Sequence, residues 1–144
     1  MYGLINQPAV FMTEDDLKSR SDELLYGWAV KATGKKEDFW YVTSHYGYKG
    51  YVPKAAVTPV SLEEIKAREV KLIRRPVIDV LAEPKVSANI LLTVYKGSLL
   101  NVTDELADGY YKVKLLDGRS GWVSKTALAK RLDEDDVLWS ADPE

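Results

Sequence analysis

The side chains in this sequence best equipped to meet a ligand are aromatic. Tyr46, Tyr48 and Tyr51 form a Tyr-x-Tyr-x-x-Tyr run around Gly47 and Gly50. Three rings beside a turn offer a flat stacking surface for a sugar or a peptide, while the plainer role for the same rings is cross-strand pairing that stabilises a sheet. Catalytic chemistry is poorly served by comparison. The chain has no Cys and a single His, His45. A thiolate nucleophile, a disulfide framework and a thiolate metal site are therefore all excluded. A Ser-His-Asp arrangement would have to recruit His45, which has no Gly-x-Ser-x-Gly motif nearby. One His without clustered ligands is a poor metal site, so His45 is expected to be a surface loop residue. The chain is expected to be no enzyme and to hold no cofactor or metal. Arg74-Arg75 could pair with a carboxylate, although a solvated strand edge is the simpler reading.

These residues sit in an internal repeat. The segment EDFWYVTSHYGYKGYVPKAAV, residues 37–57, returns 71 positions later as DGYYKVKLLDGRSGWVSKTAL, residues 108–128. An acidic residue, an aromatic pair, Val42 or Val113, Gly47 or Gly118, Gly50 or Gly121, an aromatic-Val pair and then a Lys recur in order. Leu4-Ile5-x-x-Pro8 likewise returns as Leu72-Ile73-x-x-Pro76. A fixed period means that one supersecondary unit was built twice.

Each copy reads as several short strands. In the first, Leu4-Ile5 and Ala9 to Met12 precede a polar loop from Thr13 to Asp22, strand material from Leu24 to Ala32 and a turn over 33–38. Phe39 to Ser44, a hairpin over 46–49 and Tyr51-Val52 follow. In the second, Val70 to Leu81, Ile90 to Tyr95, Leu99 to Thr103, Tyr110 to Leu116 and Ser120 to Ser124 are strand candidates, with Asp117-Gly118 as the strongest hairpin signal. Five short strands in about 60 residues imply a small closed or half-closed barrel. Ser61-Leu62-Glu63-Glu64 is a capping-box pattern that starts a short helix between the copies. The expected organisation is residues 1–60, a helical linker over 61–69, a second unit over 70–129, and an acidic tail or the start of a further domain over 130–144.

Domains of about 60 residues bury a limited share of their surface, so the two units should lean on each other or on a partner. The 20 basic and 22 acidic residues are interspersed, giving a net charge of −2 and no basic field for nucleic acid. No stretch approaches the roughly 18 apolar residues of a membrane span, so no membrane insertion is expected. If Met1 is native the protein would be cytoplasmic; if a leader has been removed, it would belong to the cell envelope or be secreted.

The segments Gly109-Tyr110-Tyr111-Lys112-Val113 and Asp117-Gly118-Arg119-Ser120-Gly121-Trp122-Val123 resemble the bacterial SH3-like (SH3b) family. Tyr46-Gly47-Tyr48-Lys49-Gly50-Tyr51-Val52 is similar to the divergent SH3-like domains ahead of the catalytic domain in NlpC-type cell-wall cysteine peptidases. Those enzymes cut the γ-D-glutamyl to diamino-acid bond of peptidoglycan stem peptides. The resemblance implies an all-β protein of two SH3-like barrels joined by a short helix. It also implies a non-catalytic module that binds peptidoglycan or its stem peptides and serves a catalytic peptidase domain in the same polypeptide. The alternatives are a module that binds a proline-rich or other peptide, and a purely structural wall of a peptidase active site.

Eukaryotic SH3 domains end a strand in Gly-Tyr-Ile-Pro, and Gly50-Tyr51-Val52-Pro53 is similar. That likeness places Phe39, Tyr51 and Pro53 on a groove in the first unit and Tyr110 and Trp122 on one in the second. Trp40, Val42, Val52, Tyr111, Val113 and Val123 then pack inside, as period-two alternation also requires. Ala56 stands where the groove tyrosine would be.

Overall fold

In a computed structural model the described residues are 1–130; the acidic tail or domain start expected over 130–144 lies outside them from residue 131 onward. Two seven-stranded antiparallel sheets make up almost the whole molecule. The first contains β1 (Tyr2–Ile5), β2 (Ala9–Thr13), β3 (Arg20–Leu25), β4 (Ala29–Lys36), β5 (Phe39–Ser44), β6 (Lys49–Pro53) and β7 (Val57–Val60). A helix, α1 (Leu62–Ala67), leads into β8 (Val70–Ile73), β9 (Val77–Leu81), β10 (Ile90–Tyr95), β11 (Leu99–Ala107), β12 (Tyr110–Lys114), β13 (Ser120–Ser124) and β14 (Leu128–Lys130). Strand order is β3-β2-β6-β5-β4-β1-β7 in the first sheet and β10-β9-β13-β12-β11-β8-β14 in the second, the same topology twice.

One cluster of buried side chains draws on every strand of the first sheet, including Ile5, Met12, Leu24, Val30, Val42, Val52 and Val57. A sheet can surround one core from all its strands only by curling, so each unit is a rolled sheet with β3 or β10 at one edge and β7 or β14 at the other. Ile73, Val80, Val94, Leu100, Val113 and Val123 fill the second roll. Two repeated glycines permit the tight crossing that rolls the sheet. A Cβ on Gly50 would lie 2.3 Å from Met12, and one on Gly121 would lie 2.4 Å from Val80. The glycines of the repeat are thus sites of close strand approach.

Several strand limits differ from the sequence reading. Val70 to Leu81 is two strands, because the chain bends at Arg75-Pro76 and Pro76 has no N–H to donate. Leu24 to Ala32 is split by a turn at Gly27, whose φ is 81°. The turn expected over 33–38 contracts to Glu37-Asp38, since β4 runs to Lys36 opposite Phe39. Asp108-Gly109, with φ of 51° and 83°, is the two-residue hairpin with both central residues left-handed. Asp117-Gly118 instead sits in a longer loop closed by Leu115 N–H donating to Arg119 O.

The linker helix forms as its capping box requires. Ser61 Oγ accepts from Glu64 N at 3.1 Å, and Ser61 N donates to Glu64 Oε1 at 3.3 Å. Its one buried residue, Ile65, packs with Leu4 and Ala29 of the first unit, and Leu116 of the second joins that cluster. A helix of 6 residues would not persist alone, so this apolar anchor holds it.

Beyond the linker, the two units exchange residues. Leu99 of β11 is buried in the first unit's core, and Tyr26, from the β3–β4 turn, is buried in the second's. Each such burial contributes roughly 2 kcal/mol. The turns that meet are equivalent in the repeat, Tyr26-Gly27-Trp28 and Lys96-Gly97-Ser98. Trp28 Nε1 donates to Gly97 O at 2.8 Å, Leu99 N to Tyr26 O at 2.9 Å, and Leu116 N to Tyr26 Oη at 2.8 Å. The backbones touch so closely that a Cβ on Gly27 would fall 1.9 Å from Leu99 O. The mutual support expected of two small units is a backbone-level lock. Among the described residues no helix is long and apolar enough to cross a membrane.

Candidate functional site

Antiparallel pairing of β5 with β6 sets Tyr41 opposite Tyr51 and Phe39 opposite Pro53. Val42 and Val52, one residue along on each strand, are fully buried, so alternation turns the two tyrosines to the outer face. Their rings meet edge to face with centroids 5.0 Å apart. Trp40 packs inward against the core, and its ring is covered by the Lys54 ammonium at 4.7 Å.

The β2–β3 loop arches over this face. Asp16 organises it: Oδ1 accepts from Lys18 N at 2.9 Å and from Ser19 N at 2.8 Å, and Ser19 Oγ donates to Oδ2. Those hydrogen bonds, led by the one from the Ser19 side chain, lower the Asp16 pKa to about 2. Leu17 takes a φ of 60°, and Lys36 Nζ ties the loop to β4 by donating to Asp15 O at 2.7 Å. Between loop and sheet lies a groove of about 650 Å³ whose lining includes Glu14, Asp15, Asp16, Lys49, Tyr41 and Tyr51. Its lining residues carry three carboxylates, one ammonium on Lys49 and two phenol rings, leaving a net acidic wall. Such a wall suits a ligand with an ammonium group and an apolar or planar body.

The other sequence candidates disperse. Tyr46 leaves the Tyr46-Tyr48-Tyr51 set and packs on Trp28 and His45, at centroid distances of 5.0 Å and 4.1 Å. Tyr48 is exposed at the hairpin. Phe39 and Pro53 extend the outer face of the same strands beyond Tyr41 and Tyr51. Tyr110 and Trp122 lie on the second sheet, opposite Ser124 and Lys112. Tyr41 is the residue sequence reasoning passed over. Its signal was present, because alternation places it on the same face as Phe39.

His45 is a correction. It is 1% exposed rather than a surface residue, because its backbone N–H donates to Ala29 O at 2.9 Å and draws the hairpin onto β4. Its ring stands edge-on to Trp28, with centroids 5.0 Å apart. Arg74 and Arg75 are exposed in the bend between β8 and β9, where Nε and Nη2 donate to Thr126 O and Oγ1, each at 2.7 Å. They staple the bend to the turn before β14. Among the described residues no three His, Asp or Glu side chains are placed to hold one metal ion.

A second groove, of about 500 Å³, lies at the junction between α1 and the two sheets and is lined by Leu4, Val60, Glu64, Arg68, Lys114 and Leu116 among others. It is more apolar than the first and lacks aromatic rings.

A rolled sheet of this topology, with a short 3-10 turn before its last strand, defines the SH3-like class, and residues 76–129 match the family described as Bacterial SH3 domain. That match falls within the second unit, and the first unit repeats the second's topology strand for strand. The chain is 31% identical over 142 residues to dipeptidyl-peptidase 6 of Lysinibacillus sphaericus, a match covering 91% of this chain and 51% of that protein. Its fold is similar to the crystal structure of an NlpC/P60 family protein from Bacillus cereus, with a TM-score of 0.73 and 18% identity over 95% of this chain and 58% of that one. The chain thus spans about half the length of each.

Proposed function

We infer that this chain is the recognition part of a cell-wall peptidase, a module that holds a peptidoglycan stem peptide while the bond between its γ-D-glutamyl and diamino-acid residues is cut by a domain outside these residues. The observation that carries this reading is the groove in which Glu14, Asp15 and Asp16 face Tyr41 and Tyr51. Stem peptides carry free ammonium groups, at the peptide terminus and on the diamino acid. Carboxylates accept the ammonium hydrogens, and the tyrosine faces cover the adjacent aliphatic atoms.

Likeness to a protein named as a dipeptidyl-peptidase, and to an NlpC/P60 family fold, supports the peptidase context. On this reading the cleavage itself is assigned to a domain outside these residues, since the sequence has no Cys and its single His is packed against Trp28.

The test is titration of the chain with a purified stem tripeptide bearing a free amino terminus, and with the same peptide N-acetylated. Saturable binding that acetylation weakens by about tenfold, with no cleavage product, is the expected result. Equal binding of both peptides would overturn the assignment of the acidic wall. A proline-rich peptide that competes would favour the interaction-module reading, with Phe39 and Pro53 as its outer contacts.

A further inference from the structure

The acidic groove of the first unit also holds one cation. Along β6, Gly50 and Val52 are buried, so Lys49 and Tyr51 rise together from the outer face, about 7 Å apart along the strand. Both line the groove beneath the β2–β3 loop. Opposite charges on one wall ordinarily close on each other. Here they stand apart: among the described residues no carboxylate lies within 4.0 Å of the Lys49 ammonium.

The three carboxylates are not equivalent. Asp16 is committed to its own loop, where Ser19 and Lys18 donate to it. Glu14 and Asp15 serve the loop only through their backbones: Glu14 N donates to Ser19 O, Leu17 N donates to Glu14 O, and Lys36 Nζ donates to Asp15 O. Among the described residues their carboxylates take part in no hydrogen bond or ion pair. Around the Tyr41–Tyr51 pair the groove therefore presents two uncommitted carboxylates and one uncommitted ammonium.

A ligand that satisfies all three groups carries an ammonium and a carboxylate on one short body that the rings can cover. A ligand with the ammonium alone would cover Lys49 without giving it a partner. The linkage of the stem peptide supplies the second charge, because a glutamyl residue joined through its γ-carboxyl keeps its α-carboxylate free.

We propose that Lys49 is a specificity-determining residue of this groove, its ammonium binding the free glutamyl α-carboxylate while Glu14 and Asp15 take the peptide's ammonium. This rests on the stem-peptide reading of the groove and adds a requirement to it, that the ligand carry both charges.

Isothermal titration of the 144-residue chain and of its Lys49→Gln variant tests this with three stem tripeptides that all keep a free amino terminus. One is unmodified, one is amidated at the glutamyl α-carboxylate, and one is amidated only at its C-terminal carboxylate. The wild-type chain should bind the glutamyl amide about fivefold more weakly than the unmodified peptide, and the C-terminal amide within about twofold of it. Lys49→Gln should lose about fivefold on the unmodified peptide and no longer distinguish it from the glutamyl amide. Lys49→Arg, which keeps the charge, should retain the discrimination. Because Lys49 is exposed, both variants should keep the wild-type melting temperature. Equal wild-type binding of the unmodified peptide and the glutamyl amide would overturn this inference and leave the stem-peptide reading standing. So would a loss that follows the C-terminal carboxylate, or a Lys49→Gln variant that still discriminates. Binding of none of the three peptides would overturn both.

Discussion

The same corner of the fold is built twice in this molecule, and the two versions differ where a ligand would touch. In the first unit Tyr41 stands opposite Tyr51 on the outer face, beneath a loop carrying Glu14, Asp15 and Asp16. The second unit sets Lys112 opposite Trp122, and the Lys112 ammonium lies 3.5 Å from Glu105 on the neighbouring β11. Its corresponding loop, between β9 and β10, carries Glu83 and Lys85, 3.8 Å apart. The inward residues have meanwhile stayed alike: Val42 and Val113, Val52 and Val123, Ala56 and Ala127 are all fully buried. Duplication has preserved what rolls the sheet and freed what faces outward. On the proposed function, this difference would put recognition in the first unit and support in the second.

The largest expected effect tests whether the units are separable at all. Trp28→Ala removes a buried ring and the Nε1 bond to Gly97 O across the junction. It should cost about 3–5 kcal/mol, and thermal unfolding followed by circular dichroism should still show one transition. Two resolved transitions in the wild-type chain would break the picture of a locked pair. Gly27→Val is harsher in kind, because it places a side chain against the Leu99 carbonyl at a φ of 81°.

Next in size is the asymmetry of binding. Tyr51→Ala should weaken stem-peptide affinity by about tenfold, close to 1.4 kcal/mol, whereas Trp122→Ala should leave it within about twofold. Isothermal titration with both variants reads the contrast directly.

A smaller effect belongs to Tyr26. Tyr26→Phe leaves the Leu116 N–H without its acceptor and should cost about 1–3 kcal/mol in a denaturant titration. Burial raises the Tyr26 pKa above its ordinary value. Its contribution is therefore complete below the unfolded-state pKa near 10 and lost as pH rises through the higher folded value. The junction should loosen only in strongly alkaline solution.

The smallest effect is confined to the loop. With the Asp16 pKa lowered to about 2 by its bonds from Ser19 and Lys18, its stabilising contribution is present above the unfolded carboxyl value and disappears as pH falls through about 2. The Lys18 and Ser19 amide resonances should keep their shifts through mild acid and move only near that pH. Asp16→Asn should weaken peptide binding while leaving the melting temperature almost unchanged.

Much of this was legible in the sequence. Period-two alternation separated the buried Val42 and Val113 from the outward Phe39 and Tyr51, and the Ser61 capping box marked the linker helix. Strand breaks were harder to see. From Val70 to Leu81 apolar residues run on both sides of Arg74-Arg75, and the bend depends on bonds to Thr126, which is remote in sequence. Tyr51 lines the groove, whereas Tyr46, close to it in sequence, has its ring held by Trp28 of the turn between β3 and β4. His45 was misplaced for the same reason, since the β4 backbone that buries it is remote in sequence. The acidic wall is invisible as a site until the loop is folded over the tyrosines, because a run such as Glu14-Asp15-Asp16 reads as a solvated surface.

The central claim is that the first unit binds and the second supports. Amide chemical-shift mapping of the chain with a free-amino stem tripeptide tests it most directly. The account predicts saturable shifts at Glu14–Ser21, Tyr41 and Lys49–Tyr51, with the resonances around Lys112 and Trp122 unmoved. Shifts of equal size around Trp122, or shifts confined to the second unit, would contradict it.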